Sequence, residues 1–436
     1  MSNTYCPIPW DHVSLKANGD MRVCCQCIYG DQAILKKDDG TIFNGNTHTV
    51  EEARNASIAK DIRKSMLNDE KHEACKLCWD EEASGANSKR QHANQMGLIT
   101  KDEANAITTE DGTIQASERP IAYYDLRFGN KCNLKCRSCG PADSTQWYDD
   151  WVELHGKSNF GNDKIGITFL EKDARGKWNT VDDTYDWYES SAVMTELMKN
   201  LPHIKRLYFT GGEPTIIQEH MNLLEMCIEI DVAKNIHLEY NTNMAKLPER
   251  LIRMWEKFQQ VSVGCSIDGM GAVAEYLRHP CKWDVVHKNL LALENTTTGN
   301  IGGTFATTVS LYNFLHFADM IQWQIETGFK RLRHLPSPHL LKGPHYMTVQ
   351  VLPIAAKNRI RDRYNELYKW VEVYSGPSMK QQVKFIIEPY IAFMFEEDNS
   401  HVLKEFWKIT TKLDEIRDEK FETVFPELYE YIKDYI

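Results

Sequence analysis

Three cysteines in the run Cys132-Asn-Leu-Lys-Cys136-Arg-Ser-Cys139 carry the most chemistry in their spacing. A Cx3Cx2C run offers three thiolates to a metal centre that prefers four ligands, which leaves one metal position for substrate or cofactor. The same distinction separates catalytic from closed structural zinc sites, and it carries over to an iron-sulfur cluster, normally held by four cysteines. Taken alone the run also admits a zinc site. A second pattern lies downstream, in Tyr208-Phe-Thr-Gly211-Gly212-Glu213-Pro214. Paired glycines let a backbone approach a ligand closely, and the carboxylate beside them could meet an amine. A third is the set Cys6, Cys24, Cys25, Cys27, Cys75 and Cys78, six of the twelve cysteines, all within the first hundred residues.

The elements that must position these residues follow from local pattern. From 120 to 345, short β-rich runs alternate with helical stretches, the signature of βα units around a parallel sheet. Strands are expected at 121–128, 204–210, 237–243, 261–267, 303–310 and 330–335, and helices at 217–231, 248–258, 282–295 and 315–327. This is a partial (β/α)6 barrel in the α/β class, and it puts the three cysteines just after the first strand, at the end where βα loops build active sites. The long first connection, 141–203, contains an inserted hairpin at 165–181, parted by Gly176 and Lys177. Residues 1–107 form a small cysteine-rich domain, 108–119 (TTEDGTIQASER) a polar linker, and 346–436 a helical C-terminal extension of amphipathic helices such as 404–421.

Composition narrows the function class. With 436 residues and 42% hydrophobic content the chain can build real cores. No apolar run approaches the roughly 18 residues needed to span a membrane, and MSNTYCPIPW lacks the regions of a signal peptide, so the expectation is a cytoplasmic protein. Disulfides rarely persist there, which makes metal the better use of clustered cysteines. A formal charge of −11 gives no basic footprint and argues against a nucleic-acid surface. A peptide or a small polar substrate fits better.

Cx3Cx2C in the first βα loop, Gly211-Gly212-Glu213 ending the second strand and six βα units together resemble the radical S-adenosylmethionine (SAM) enzymes, over residues 120 to 340. The resemblance implies that Cys132, Cys136 and Cys139 hold a [4Fe-4S] cluster whose fourth iron binds SAM, with Gly211, Gly212 and Glu213 helping to hold the SAM amine. Ser266-Ile-Asp268-Gly269 followed by Arg278 resembles the SxDG…R segment of peptide-modifying members. It makes Ser266, Arg278 and also Asn243 candidates for the SAM carboxylate or ribose. The plainer readings are that Asn243 ends a strand and that Arg278 pairs with Glu275. Ser138 departs from the family, where the residue before the third cysteine is commonly aromatic and stacks on adenine; Trp147 is the substitute platform considered. An electron donor such as flavodoxin or ferredoxin is implied as a partner.

Cys6-x12-Gly19-x4-Cys24 followed by Cys75-x2-Cys78 resembles the SPASM and twitch domains, which hold auxiliary clusters. By that resemblance Cys6, Cys24, Cys75 and Cys78 saturate a second [4Fe-4S] cluster, although such domains usually follow the barrel. Asn18-Gly19 favours a tight hairpin turn that would bring Cys6 and Cys24 together. Cys25 and Cys27 stay open as alternatives to Cys24, and a zinc-ribbon-like site stays open for the whole set. Strand alternation adds a reading of its own. Asp125 and Arg127, Glu239, Asn241 and Asn243, and Ser262, Ser266 and Asp268 oppose apolar sets, so they should face a polar lumen, to hold substrate or to form a buried ion-pair network.

Overall fold

The structure is a computed structural model that describes residues 4–27, 34–83, 87–115, 119–162, 166–189 and 191–436. Its strands are β1 (His12–Leu15), β2 (Met21–Arg22), β3 (Tyr123–Phe128), β4 (Asn159–Asn162), β5 (Gly166–Lys172), β6 (Trp178–Thr180), β7 (Arg206–Gly211), β8 (His237–Thr242), β9 (Gln260–Ser266), β10 (Ile301–Val309) and β11 (Ser337–Leu340). Eight of them make one sheet in the order β11-β10-β9-β8-β7-β3-β1-β2, and the pairs from β3 to β11 are all parallel. Helices Gln218–Glu229, Glu249–Trp255, Trp283–Glu294 and Phe317–Thr327 return the chain between the later strands. This is the expected α/β fold: a partial TIM-like barrel with a helical C-terminal region.

The barrel is polar inside because its strands alternate. On β3, Tyr124 reaches outward, where its Oη accepts from Nδ2 of helix-borne Asn200 at 3.0 Å, and Phe128 packs on Trp187 and Tyr188. The opposite set faces inward across the register Asp125↔Tyr208 and Tyr208↔Glu239. The sixth strand is where sequence and structure part. Residues 330–335 contribute only an isolated bridge, Gly303↔Leu332, and pairing resumes at Ser337–Leu340 with Thr307↔Pro338. Pro336 and Pro338 speak locally against a strand, yet β11 is the sheet's edge, where a missing N–H is tolerated. The inserted hairpin is present as β5 and β6 around a turn in which Gly176 has φ +79, and β4 adds a third strand. Residues 163–165, where that hairpin was expected to begin, lie outside the described residues.

The N-terminal segment is not a separate appendage. β1 lies parallel to β3 through His12↔Tyr123, Val13↔Tyr124 and Ser14↔Asp125, and β2 pairs with β1 around a turn at Gly19, φ +82. The stretch expected as a linker is tied down at several points. Arg63 Nε donates to Gly112 O at 2.8 Å, Ile114 is buried, and Arg119 Nε meets Asp11 Oδ1 at 2.6 Å. Residues 116–118 of it lie outside the described residues. A polar sequence that reads as solvated can still pack when a buried arginine takes its carbonyls.

Helices Ile354–Ser375 and Pro377–Glu396 pair in the C-terminal region, followed by Leu403–Arg417. Among the described residues no helix is long and apolar enough to cross a membrane.

His12 sits at the seam, its ring 4.5 Å from that of Tyr123 and its Nδ1 2.9 Å from Val23 O. Burial lowers its pKa from 6.5 to about 4. The folded chain therefore holds His12 neutral where the unfolded chain takes up a proton. Stability falls as pH drops through that window, by about 3 kcal/mol in all. Denaturant unfolding of wild type and His12→Asn at about pH 7 and about pH 4.5 checks this: the loss on acidification should shrink in the variant, and equal losses in both would reject it.

Candidate functional site

The cysteine loop leaves β3 at Phe128 and is pinned on two sides by backbone. On one side Gly212 N donates to Gly129 O at 3.1 Å and Glu213 N to Lys131 O at 2.9 Å. A Cβ on Gly212 would lie 2.2 Å from Lys131 O, so glycine is what allows these two loops to touch. The close approach expected toward a ligand is thus made, at Gly212, toward the cysteine loop itself. On the other side Lys135 N donates to His279 O at 2.7 Å and Arg137 N to Leu277 O at 2.8 Å. The neighbours of Cys136 grip the neighbours of Arg278.

Side chains complete the arrangement. Arg278 Nη1 lies 3.9 Å from Cys136 Sγ, and its Nη2 pairs with Asp268 Oδ2 at 2.8 Å. Glu275 instead meets Lys282 and the backbone of Trp283, so the plainer reading of Arg278 as its partner is set aside. Asp268 Oδ1 accepts from Thr308 N at 2.8 Å, which ties β9 to β10. Asn243 Nδ2 donates to Asn133 Oδ1 at 2.9 Å and lies 3.9 Å from Cys132 Sγ. Asn243 and Arg278 therefore stand beside the first two cysteines. Ser266 closes β9, in register with Ala306 of β10.

Glu213 bridges the ends of two strands. It is 1% exposed, with Oε1 accepting from Thr215 N, Thr215 Oγ1 and Thr242 Oγ1, and Oε2 accepting from Asn243 N at 2.7 Å. Burial raises its pKa. The bonds to Thr242 and Asn243 tie the end of β7 to the end of β8, and the two to Thr215 brace the turn that follows Glu213. Trp147 is likewise sealed: it is buried, and its Nε1 donates to Cys136 O at 2.9 Å. It supports the loop and offers no free face for adenine.

The donor set suits a metal. Cys136 is buried and Cys139 exposed. A hydrogen bond from Cys139, helped by the charge of Arg278, draws the Cys136 pKa below its ordinary value, while burial pushes Cys132 up to about 12. A thiolate favoured at one position among neutral thiols is an electropositive microenvironment of the kind that binds metal. Among the described residues no three Cys, His, Asp or Glu side chains already converge as a formed metal site.

The second cysteine set surrounds a cavity of about 30 Å³ lined by Cys6, Cys24, Cys27, Cys75, Cys78, Lys89 and Arg90, with Ile8, Pro9, Val23, Gln26 and Met66. All four expected cysteines are there, and Cys27 is a fifth. Cys25 is absent from the lining; its first partner is the Cys24 thiol beside it, with the Asp125 carboxylate a weaker electrostatic neighbour. Burial pushes Cys6 up to about 12, so these thiols need a cation to ionise.

Between the two sets lies the lumen. Asp125 is fully buried, accepts from Ser14 Oγ at 2.9 Å and leaves Oδ1 without a hydrogen-bond partner. Glu239 pairs with Arg206, and Tyr208 Oη accepts from Asn241 Nδ2 at 2.6 Å. Lys89, which lines the thiol cavity, reaches Tyr123 Oη at 3.2 Å.

Residues 126–311, somewhat under half of the chain, match the family described as the Radical SAM superfamily. No curated protein matches in sequence. Among solved structures, anSMEcpe with bound AdoMet is 16% identical with a TM-score of 0.37, covering 59% of this chain and 62% of that one. SuiB from Streptococcus suis, bound to precursor peptide SuiA, is 12% identical with a TM-score of 0.34, covering 72% of this chain and 64% of that one. The chain thus spans less than two thirds of either.

Proposed function

We propose that the chain is a radical SAM enzyme acting on a peptide or a small polar molecule. Cys132, Cys136 and Cys139 would hold a [4Fe-4S] cluster that, with SAM bound and an electron supplied, cleaves SAM and yields a 5′-deoxyadenosyl radical able to abstract hydrogen. The observation that carries this reading is the joint position of Cys132 beside Asn243 and Cys136 beside Arg278, inside the segment that matches the superfamily.

The chain's own residues have definable tasks. Asn243, Ser266 and Arg278 would bind the polar groups of SAM, with Gly211 and Gly212 forming the adjoining wall and Glu213 holding that wall to β8. Asp125, with one free buried carboxylate oxygen, would accept a hydrogen bond from a substrate N–H or O–H. The barrel would exclude water around the reacting centre. Residues 1–107 would form a twitch-like module in which Cys6, Cys24, Cys75 and Cys78, with Cys27 available, hold a second [4Fe-4S] cluster. Its link to Tyr123 through Lys89 favours net oxidation of the substrate. Residues 120–345 would be the barrel and 346–436 its helical extension; flavodoxin or ferredoxin would supply the electron. The second reading is a non-catalytic iron-sulfur or zinc protein in electron transfer or assembly, which the same thiols would serve.

Anaerobic reconstitution separates the two. The expected result is about eight irons per chain from two cubane clusters and release of 5′-deoxyadenosine when dithionite and SAM are added. Zinc in place of iron, or intact SAM, would reject the enzyme.

A further inference from the structure

Two cations of the cysteine loop, Lys135 and Arg137, are paired with carboxylates, and those of Arg137 come from the far end of the chain. Lys135 Nζ meets Asp150 Oδ1 at 2.7 Å. Arg137, with its side chain 1% exposed, pairs through Nη2 with Asp414 and, at 2.8 Å, with Glu419 Oε2; its guanidinium lies 3.7 Å over the Tyr276 ring. From the same C-terminal helix Arg417 Nε meets Asp150 Oδ2 at 2.8 Å, and its guanidinium lies 4.7 Å from the Trp147 ring. Asp150 therefore joins Lys135 to Arg417, and Trp147 in turn donates to Cys136 O. Glu419 Oε1 also holds His279 Nδ1 at 2.7 Å, and His279 O takes the backbone of Lys135.

Burying this many charges is costly unless each is paired, and removing one partner leaves another stranded. A helix that only covered apolar surface would need none of them. Instead Asp414, Arg417 and Glu419 bear on the residues flanking Cys136, on the indole beneath it and on the loop that carries Arg278.

We propose that the C-terminal helix Leu403–Arg417, with Glu419 after it, is a positioning element of the cysteine-loop site. Asp414, Arg417 and Glu419 hold Cys136 shielded and facing Arg278, and so set how the site responds to SAM. The last clause rests on the radical SAM reading; the shielding of Cys136 does not.

The test uses the full chain carrying Asp414→Asn with Glu419→Gln. In the metal-free protein, alkylation by iodoacetamide is followed at each cysteine by mass spectrometry. Cys136 should react about tenfold faster than in wild type, a loss of local protection, while Cys227 and Cys265, buried elsewhere, stay protected. Unchanged Cys136 protection would overturn the proposal. If Cys227 and Cys265 react as well, the pair of substitutions has unfolded the chain, and Arg417→Lys replaces it. That change keeps the charge near Asp150 but loses the planar stack on Trp147; faster Cys136 alkylation supports the proposal and an unchanged rate overturns it. In reconstituted protein, the SAM-induced change in the electron paramagnetic resonance spectrum should be lost in the variant and restored by Asp414→Glu with Glu419 intact. A change of wild-type size in the variant overturns the coupling, whereas no SAM response in wild type counts against the enzyme reading and leaves the alkylation result standing.

Discussion

Cys136→Ala, reconstituted anaerobically, is expected to hold about four irons per chain where wild type holds about eight, and to release no 5′-deoxyadenosine. Among the three thiols Cys136 is the one whose surroundings favour the thiolate, through Cys139 and Arg278. Its loss leaves two ligands, and a two-thiolate site cannot keep a cubane. The thiols of the N-terminal cavity belong to other elements and should retain their iron. Cys265→Ala is the matched control, since Cys265 is equally buried but lies in β9 away from the loop. Measured SAM cleavage in Cys136→Ala near the wild-type rate would sink the assignment of this loop.

The second large effect separates three adjacent thiols. Cys75→Ala should lower iron from about eight to about four per chain while SAM cleavage continues, because the cluster lost is the one with a full set of protein ligands. Cys24→Ala and Cys27→Ala should each diminish the same iron, since both side chains line the cavity. Cys25→Ala should leave the iron intact, because its side chain does not line the cavity. Iron unaffected by Cys75→Ala would remove the auxiliary site and leave the SAM site standing. Iron lost only with Cys25→Ala would reverse the choice among the three.

Much of the barrel is legible in the chain because its signals are local. Alternation along β3, β8 and β9 separates the polar inner face from the apolar outer one, and helical periodicity marks the returns between strands. The sixth strand is the exception, since Pro336 and Pro338 hide an edge strand whose existence depends on β10 alone. The Asn18-Gly19 turn is also local, and it does bring Cys6 and Cys24 to one cavity. Whether Cys25 or Cys27 joins them needs the path of the chain after β2, which no turn residue announces.

The residues with chemistry are thus set by sequence: which thiols exist, how they are spaced, and that Gly211-Gly212-Glu213, Asn243 and Arg278 follow successive strands. Tertiary structure alone decides what each does with its neighbours. It turns the Glu213 carboxylate inward, matches Arg278 to Asp268, lays β1 against β3, and brings Asp414, Arg417 and Glu419 to a loop more than 250 residues earlier. The reason is physical. Periodicity and turn chemistry act over a few residues, whereas the pairing of a buried charge depends on which partner the folded chain delivers, at whatever distance in sequence.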